Sequence, residues 1–469
     1  MTSALAACSL APTYHPPETP APVAFKESGP WVTAVPGSAA MSADWWTGFG
    51  DTTLDGLEQR VQTGNPTLAG ALGRYDEARG YLQQIDADAL PTAGTNAQVT
   101  SDRQSNHRPL RGGGEPDFYA ADTVSGNIGY ELDLWGRVRN SVAAGRGQAQ
   151  ASADDIAAIR LSLESQVAMD FIALQGDDRQ IDLLSDTVDA YVRAAKLTQR
   201  RFATGIASGI DTGESQTLLA EARAQLADTR KARALTEHAI ASLVGTPASS
   251  FSLAPDTADL VVPVVPVGVP STLLRRRPDI AAAERRMYAA NRGIGVAKAA
   301  FYPQISLLGM GGVQNTALAG LFGAGNLIWS VGPSVSFNLF DGGKRRGQLA
   351  VARAGWETAT AAYREDVLKA FQEVEDALAQ THYLQDQLAA EREAQDQATQ
   401  VGRLSLNNYT KGALDYLQVV TAQTTALRVR RSVIDLRTQS LQATVKLIQA
   451  IGGDWRPDPH APNPPQQGL

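Results

Sequence analysis

Two regions of the chain alternate apolar and polar positions with a period of two, which is typical of a β-strand with one apolar face. The first region sets Val124, Gly126, Ile128, Tyr130, Leu132 and Leu134 against Thr123, Ser125, Asn127, Gly129, Glu131 and Asp133. The second sets Trp329, Val331, Pro333, Val335, Phe337 and Leu339 against Ser330, Gly332, Ser334, Ser336 and Asn338. A partner strand precedes each region, so we predict four strands, near residues 90–101, 118–135, 301–313 and 328–340.

Most of the remaining chain repeats apolar residues at spacings of three and four, which indicates long helices. No proline occurs from Val138 to Arg200, a segment that would extend about 90 Å if it were unbroken. The segment from Lys344 to Asn407 has the same character. The last helix carries a strict heptad, which predicts left-handed supercoiling against its neighbours, at Val420, Leu427, Ile434, Leu441 and Ile448.

The chain contains two copies of one plan. Asn65-Pro66 and Arg277-Pro278 open similar helical patterns, and their prolines are 212 residues apart. Further on, Gly136, Gly205 and Gly245 recur 207 residues later as Gly343, Gly412 and Gly452. We therefore assign a first repeat to residues 45–247 and a second to 271–453. A Pro/Val-rich connector (248–270) joins them, and a Pro-rich segment (9–44) and a C-terminal tail (454–469) flank them.

Composition narrows the function classes. The 469 residues carry a net charge of −7, so there is no basic excess of the kind that binds nucleic acid. No stretch reaches the ~18 apolar residues of a transmembrane helix. A single cysteine excludes an internal disulfide framework and a cysteine-rich zinc site. No two of the five histidines are four residues apart, and no catalytic motif is present, so we predict neither a metal site nor an enzyme.

The single cysteine lies in Leu5-Ala6-Ala7-Cys8, which resembles a bacterial lipobox. Only seven residues precede Cys8 and none is basic, so we interpret residues 1–8 as a truncated lipoprotein signal. Lipidation and a free surface thiol are both open from these four residues alone. If Cys8 is acylated, the proline-rich segment is an extended spacer between the membrane and the folded body.

Four strands are too few to close a membrane barrel, which needs about eight. Open strand edges are not tolerated in lipid, because each unpaired backbone group costs several kcal/mol. Either the sheet is exposed to water, or several chains combine their strands into one barrel. In the barrel, the polar face would line an aqueous lumen and the apolar face would contact lipid.

The chain resembles the TolC-like outer membrane factor family, in its lipoprotein branch that works with resistance-nodulation-division pumps. The resemblance runs from Trp45-Trp46 to Trp455 and rests on Leu5-Ala6-Ala7-Cys8, Tyr130-Glu131-Leu132-Asp133-Leu134-Trp135-Gly136-Arg137, Arg277-Pro278-Asp279, Phe301-Tyr302-Pro303-Gln304-Ile305, Leu339-Phe340-Asp341-Gly342-Gly343 and Gly412-Ala413-Leu414-Asp415. It implies an α+β membrane protein, in which long helical hairpins form a periplasmic α-barrel and a homotrimer combines twelve strands in an outer membrane β-barrel. It also favours diacylglycerol and N-palmitoyl groups on Cys8, with no other cofactor. The implied partners are outer membrane lipid, a periplasmic adaptor and an inner-membrane resistance-nodulation-division pump.

The turns between the long helices are the predicted site. By the resemblance, they form the periplasmic tips that contact the adaptor, through Arg201, Phe202, Gly205, Asp211, Asn408, Tyr409 and Gly412. The residues Asp211 to Glu214 match a capping box, and Asp415 is interpreted mainly as a helix cap.

The gate prediction concerns the residues just after the second turn. The acidic positions common in the family correspond here to Gln418 and Thr421, so this sequence departs from an acidic gate. Leu417 fits a hydrophobic constriction and fits a helix-packing role equally well, and Asp415 is the nearest acidic residue.

Two other functions remain open from the sequence. One is an outer membrane exporter of peptides or proteins in a type I secretion-like system, and the other is a structural coiled-coil scaffold that never contacts a bilayer. The paired alternating strands favour a channel over a scaffold, and the lipobox favours the efflux type of channel.

Overall fold

The computed structural model describes residues 9–17, 22, 24–27, 32–33, 44–105, 107, 114, 116–267 and 276–455. Cys8 and the residues of the C-terminal tail beyond 455 lie outside the described residues. The same holds for parts of the Pro-rich segment and of the connector.

The helices occur in pairs of equal length. Helices α2 (Pro66–Ala87) and α5 (Pro278–Ala299) have 22 residues each, and α3 (Arg137–Ala203) and α6 (Lys344–Thr410) have 67 each. Helices α4 (Gly209–Leu243) and α7 (Tyr416–Ala450) have 35 each. Helix α1 (Thr52–Gly64) has no counterpart among them. None of the helices in the described part of the chain is long and apolar enough to cross a lipid bilayer.

The four predicted antiparallel strands are confirmed. They are β2 (Thr92–Arg103), β3 (Phe118–Glu131), β5 (Gln304–Asn315) and β6 (Leu327–Ser336), and they form one sheet in the order β2-β3-β5-β6. Two short segments, β1 (Val32–Thr33) and β4 (Pro266–Val267), pair in parallel and bring the N-terminal segment to the connector.

The strand register separates two faces of the sheet. Directly opposed residues share a face, so the cross-strand row Val124, Val313 and Leu327 is apolar. Two rows further along the same face, the cross-strand row includes the apolar residues Ile128 and Val331. The opposite face is mostly polar or small and contains Thr123, Ser125, Asn127, Gly129, Gln314, Ser330, Gly332 and Ser334.

Strands β3 and β6 end earlier than the alternation predicts. The Asp133 carboxylate accepts hydrogen bonds from the backbone N–H groups of Val138 (3.1 Å) and Arg139 (2.9 Å) at the start of α3. Asp341 similarly accepts from Gly343 (2.9 Å) and Arg345 (3.2 Å) at the start of α6. The segments 132–135 and 337–340 are therefore used to start the helices, although their residues continue the strand pattern.

The principal core surrounds the middle of the helical body. Trp45, Trp46 and Phe49 of a 3-10 helix pack with α1 and with the inner faces of α3, α5, α6 and α7. Arg277 joins three elements here: its guanidinium pairs with Glu373 on α6 (2.6 Å) and donates to the carbonyl oxygen of Ala450 on α7 (3.0 Å). The sheet extends from one end of this body, and the two long helical hairpins extend from the other.

Candidate functional site

Both helical hairpins reverse direction through the same turn. Gly205 and Gly412 have φ angles of +74° and +78°, a left-handed conformation in which side chains other than hydrogen are strained. The N–H of Gly205 donates to Phe202 O and that of Gly412 to Tyr409 O, each at 2.9 Å. The left-handed backbone conformation therefore explains why glycine occupies this position in both turns.

The caps of the two turns differ from each other and from the predictions. The capping box of α4 starts at Ser208: its Oγ accepts from the N–H of Asp211 (3.2 Å), and Asp211 Oδ2 accepts from the N–H of Ser208 (3.1 Å). The predicted box from Asp211 to Glu214 is wrong, because Asp211 is the third residue of α4 rather than its cap. Asp415 does occupy the N-cap position of α7, but its side chain makes no capping hydrogen bond.

The tips of the two hairpins are joined by one arginine. The Nη1 atom of Arg201 donates to the carbonyl oxygen of Tyr409 at 2.9 Å, and its guanidinium carbon lies 4.7 Å from the centre of the Tyr409 ring. Tyr409 is buried and packs edge to face on Tyr416, with the ring centres 5.1 Å apart. We call Arg201, Tyr409 and Tyr416 the tip latch.

The tip latch lies against a small buried layer. Leu197, Leu406 and Val419 pack on the two tyrosines. Burial raises the pKa of Tyr416 to about 12, so the phenol of Tyr416 is neutral.

The remaining predicted tip residues are at the surface. Phe202 and Asn408 are exposed, and Asn408 O accepts the N–H of Ala413 at 2.9 Å. The structure thus brings Arg201 and Tyr409 together and leaves Phe202 and Asn408 exposed, whereas Asp211 is half-buried and its carboxylate belongs to the capping box of α4.

The predicted gate residues share the unpacked face of α7. Leu417 is 60% exposed, and Gln418 and Thr421 are also exposed. Thr421 Oγ1 donates to Leu417 O at 3.0 Å, so the hydroxyl is bound to its own helix. Val419 has no exposed surface, which shows the opposite face of α7 packing inward. Leu417 is consequently available for contact with another molecule.

A polar brace that sequence reasoning missed joins the two hairpins further along. Arg431 on α7 donates to Gln180 Oε1 on α3 (3.0 Å) and to Gln225 Oε1 on α4 (3.1 Å). Gln180 Nε2 in turn donates to Asp435 Oδ1 at 2.8 Å. The sequence signal for this brace was Gln180, a glutamine at a buried position of α3 beside Ile181.

The connector is held against the same helices. Arg233 on α4 pairs with the buried Asp178 on α3 and donates to Leu253 O at 2.9 Å. The Glu237 carboxylate accepts the N–H of Leu253 at 2.7 Å. These contacts fix the position of the connector against α3 and α4.

The start of the described chain lies beside the sheet-to-helix junction. Ser9 Oγ donates to Asn140 Oδ1 at 3.1 Å, and Asn140 is in the first turn of α3. Tyr14 Oη donates to Glu284 Oε1 on α5 at 2.8 Å. Residues 9–17 therefore run from the junction along the helical body, and the residue before Ser9 is Cys8, outside the described part.

Among the described residues, no three His, Cys, Asp or Glu side chains are grouped as metal ligands would be. The arrangement is two pinned hairpin tips on long helices, continuous with a sheet that has one polar and one apolar face.

Comparison with known proteins agrees with this architecture. The outer membrane efflux protein family matches residues 57–246 and 269–453. The chain is 33% identical over 454 residues to the outer membrane protein OprJ of Pseudomonas aeruginosa, covering 96% of this chain and 94% of OprJ. It is 27% identical over 454 residues to the cation efflux system protein CusC of Escherichia coli, covering 97% of both chains.

Solved structures have the same fold. The outer-membrane channel OprN superposes with a TM-score of 0.88 at 25% identity, covering 96% of this chain and 100% of that one. A crystal structure of CusC gives a TM-score of 0.84 at 26% identity, with 95% and 100% covered.

Proposed function

Because the chain belongs to the outer membrane efflux protein family, we propose that it is the exit duct of a tripartite pump and that its tip latch holds the duct closed. It is an outer membrane efflux channel that extends into the periplasm. Its four strands contribute to a trimeric twelve-stranded β-barrel, since β2 and β6 leave open edges that a single chain cannot pair.

The observation that carries the proposal is the direct continuation of the two-faced sheet into the long helices. The apolar face of the sheet contacts lipid and the polar face lines the lumen. Arg137, at the start of α3, is linked to Glu131, at the end of β3. Its guanidinium donates hydrogen bonds to both carboxylate oxygens of Glu131, at 2.8 and 2.7 Å. The duct walls are therefore continuous from barrel to helices, as transport through both requires.

The partners of the duct follow from its two ends. We propose that three copies form the channel, and that the hairpin tips receive a periplasmic adaptor carried by an inner-membrane resistance-nodulation-division pump. The exposed Phe202 and Asn408 support such docking, since they lie beside the turns and are not part of the buried clusters. No catalytic step is part of this function, because the pump supplies the energy.

The gate in this proposal is apolar and pinned by the latch. Three copies of Leu417 narrow the channel near the tips, with Gln418 and Thr421 beside them. Arg201 ties α3 to the end of α6, so α6 and α7 cannot move away from α3 and α4 while the latch is closed. An adaptor that docks at the turns acts directly on Arg201 in the first hairpin and on Tyr409 in the second.

The position of Ser9 supports lipidation of Cys8. Its hydrogen bond to Asn140 places the chain start beside the junction between the sheet and the helices. That junction is the inner boundary of the membrane-embedded sheet. Diacylglycerol and N-palmitoyl groups on Cys8 would enter the adjacent leaflet without unfolding the N-terminal segment.

Reconstitution in planar bilayers tests the function. We expect purified trimers to show low conductance that rises when the tips are unlatched, and to restore drug resistance in cells lacking their outer membrane factor. A protein that forms no pores and restores no efflux, although correctly inserted, would contradict the proposal. Export of a protein substrate with a type I secretion pump, but no small-molecule efflux, would replace it.

A further inference from the structure

The second β-hairpin contains no charged side chain. Between Lys298 and Asp341 there is no Asp, Glu, Lys, Arg or His. The loop of the first hairpin, by contrast, contains His107, Arg108, Arg111, Glu115 and Asp117, and Asp102 and Arg103 end the strand before it. In the proposed channel, the strand ends that these loops join lie on the side of the sheet away from the helices, at the cell exterior. Equivalent loops in the same solvent would not be expected to differ this completely.

Two asparagines give the uncharged loop a defined shape. Asn315 Nδ2 donates to the carbonyl oxygens of Ala317 (3.0 Å) and Ala319 (3.2 Å). Asn326 Nδ2 donates to those of Gly320 (2.8 Å) and Leu321 (3.2 Å). We call residues 316–326 the apolar flap. With the bonds from the N–H groups of Leu321, Gly323 and Asn326, the backbone carbonyls of residues 317–321 and 323 all have donors within this short segment.

Burial differs between the two faces of the sheet next to the apolar flap. Asp122 and Asn315 are paired across the strands on the lipid-facing side, and Thr123 and Gln314 are paired in the adjacent row on the lumen side. Gln314 is exposed, whereas Asp122 is only 3% exposed. Leu321 of the flap is likewise buried. A flap folded onto the outer wall of the barrel produces this difference between the two faces.

The flap presents its other apolar side chains away from the barrel. Leu318 is 66% exposed and Phe322 is 80% exposed. The lipid-facing row of Leu327 and Trp329 continues directly from the flap, within about 10 Å along the strand. Aromatic residues at this level are typical of the membrane interface.

We propose that the apolar flap lies on the outer wall and inserts Leu318 and Phe322 into the acyl region of the outer leaflet. Lipid is the occupant because the flap is uncharged and continues the lipid-facing surface. The edges of the sheet that pair with neighbouring subunits are β2 and β6, so β3 and β5 are interior strands. The first loop, which is charged, stays in water, so each subunit has one wet and one lipid-embedded loop.

Site-specific fluorescence tests this directly. Phe322→Cys is introduced into the full-length Cys8→Ala chain, labelled with a nitrobenzoxadiazole fluorophore and reconstituted as trimers in phospholipid vesicles. Ser105→Cys, an exposed position in the first loop, is the matched control in the same background. Quenching is measured with spin-labelled lipid and, separately, with aqueous iodide.

We expect the label at 322 to emit at shorter wavelength than the label at 105, to be quenched by spin-labelled lipid and to be protected from iodide. The label at 105 should show the reverse. Equal iodide quenching at both positions would place the flap in water or in the lumen and would overturn the proposal. Protection of the 322 label from both quenchers would overturn it as well, since the flap would then be packed against protein. Trimer formation on unheated gels, checked for each variant, ensures that folded channels are compared, and an independent label at Leu318→Cys must give the same result as that at 322.

Discussion

Arg201 and Tyr409 are 208 positions apart in the chain and are in contact twice, through a 2.9 Å hydrogen bond to the tyrosine carbonyl and through the face of its ring. The first contact restrains the backbone at the end of α6, and the second restrains a buried side chain. The pair therefore couples the first hairpin to the second at the point where a closed channel must be held.

Arg201→Ala should increase the open fraction of the channel. A charge-assisted hydrogen bond with a cation–π contact contributes about 1–2 kcal/mol, so its loss should raise the open fraction by roughly tenfold. Single-channel recording in planar bilayers measures it. Arg200→Ala removes an exposed neighbouring arginine and should leave the recording unchanged. Equal behaviour of the two variants would refute the latch.

Leu417→Ala should raise the leak conductance of otherwise closed channels, because it removes three apolar side chains from the proposed constriction. Leu368→Ala is the control: this leucine is similarly exposed, at 64% against 60%, but lies far along α6. Unchanged conductance of the Leu417 variant would end its assignment to the gate.

Glu58→Gln should raise the thermal stability at pH 8 and have little effect at pH 5. Glu58 has no exposed surface, and burial, followed by the charges of Glu164 and Asp55, raises its pKa to about 10. The folded chain then holds a proton that the unfolded chain releases above its ordinary pKa of 4.5, so stability falls as the pH rises between these values. Glutamine removes this dependence. Glu77→Gln, on the exposed side of α2, should leave the pH dependence of stability unchanged. Heat dissociation of the trimer across this pH range measures the stability of both variants.

Gly176→Ala should destabilise the helical body. A β-carbon at this position would lie 2.5 Å from Thr438 Oγ1, so α3 and α7 would have to separate. We expect a loss of about 1–3 kcal/mol, and Thr438→Ala should recover most of it in the double variant. Gly355→Ala, at a helical glycine with open space around it, should be neutral or slightly stabilising. Thermal dissociation compares all four variants.

Cys8→Ala should abolish acylation. Mass spectrometry of the chain purified with its native signal should show the mass of a diacylglycerol and a fatty acyl group, which the variant lacks. Because the barrel anchors the trimer independently, the variant should still reach the outer membrane. An unmodified thiol in the unaltered chain would return Cys8 to the free-thiol alternative.

The sequence predicted the elements better than their ends. Alternation located β3 and β6, and the partner strand expected before each of them located β2 and β5. The alternating pattern continues beyond the observed strand ends, into Leu132 and Phe337. A period-two pattern does not show that Asp133 and Asp341 cap the next helices. Helix α1 was missed, although Leu54, Leu57 and Val61 have helical spacing and Asp51 caps it.

The positions of the two turns were predicted, but the contact between them was not. The equivalent turns at Gly205 and Gly412 could be recognised because only glycine suits their conformation. The pairing of Arg201 with Tyr409 depends on how the two hairpins pack, which no local pattern encodes. The same is true of the brace at Arg431 and Gln180, where three helices meet.

The equal lengths of α3 and α6, 67 residues each, limit how this protein can change during evolution. Each inserted residue turns the rest of a helix by about 100° and advances it by about 1.5 Å. An insertion in one of them alone would misalign Arg201 and Tyr409 and rotate the supercoil contacts of every residue beyond it. Relatives that reach a different depth in the periplasm should therefore have gained or lost residues in both halves together, in steps near seven.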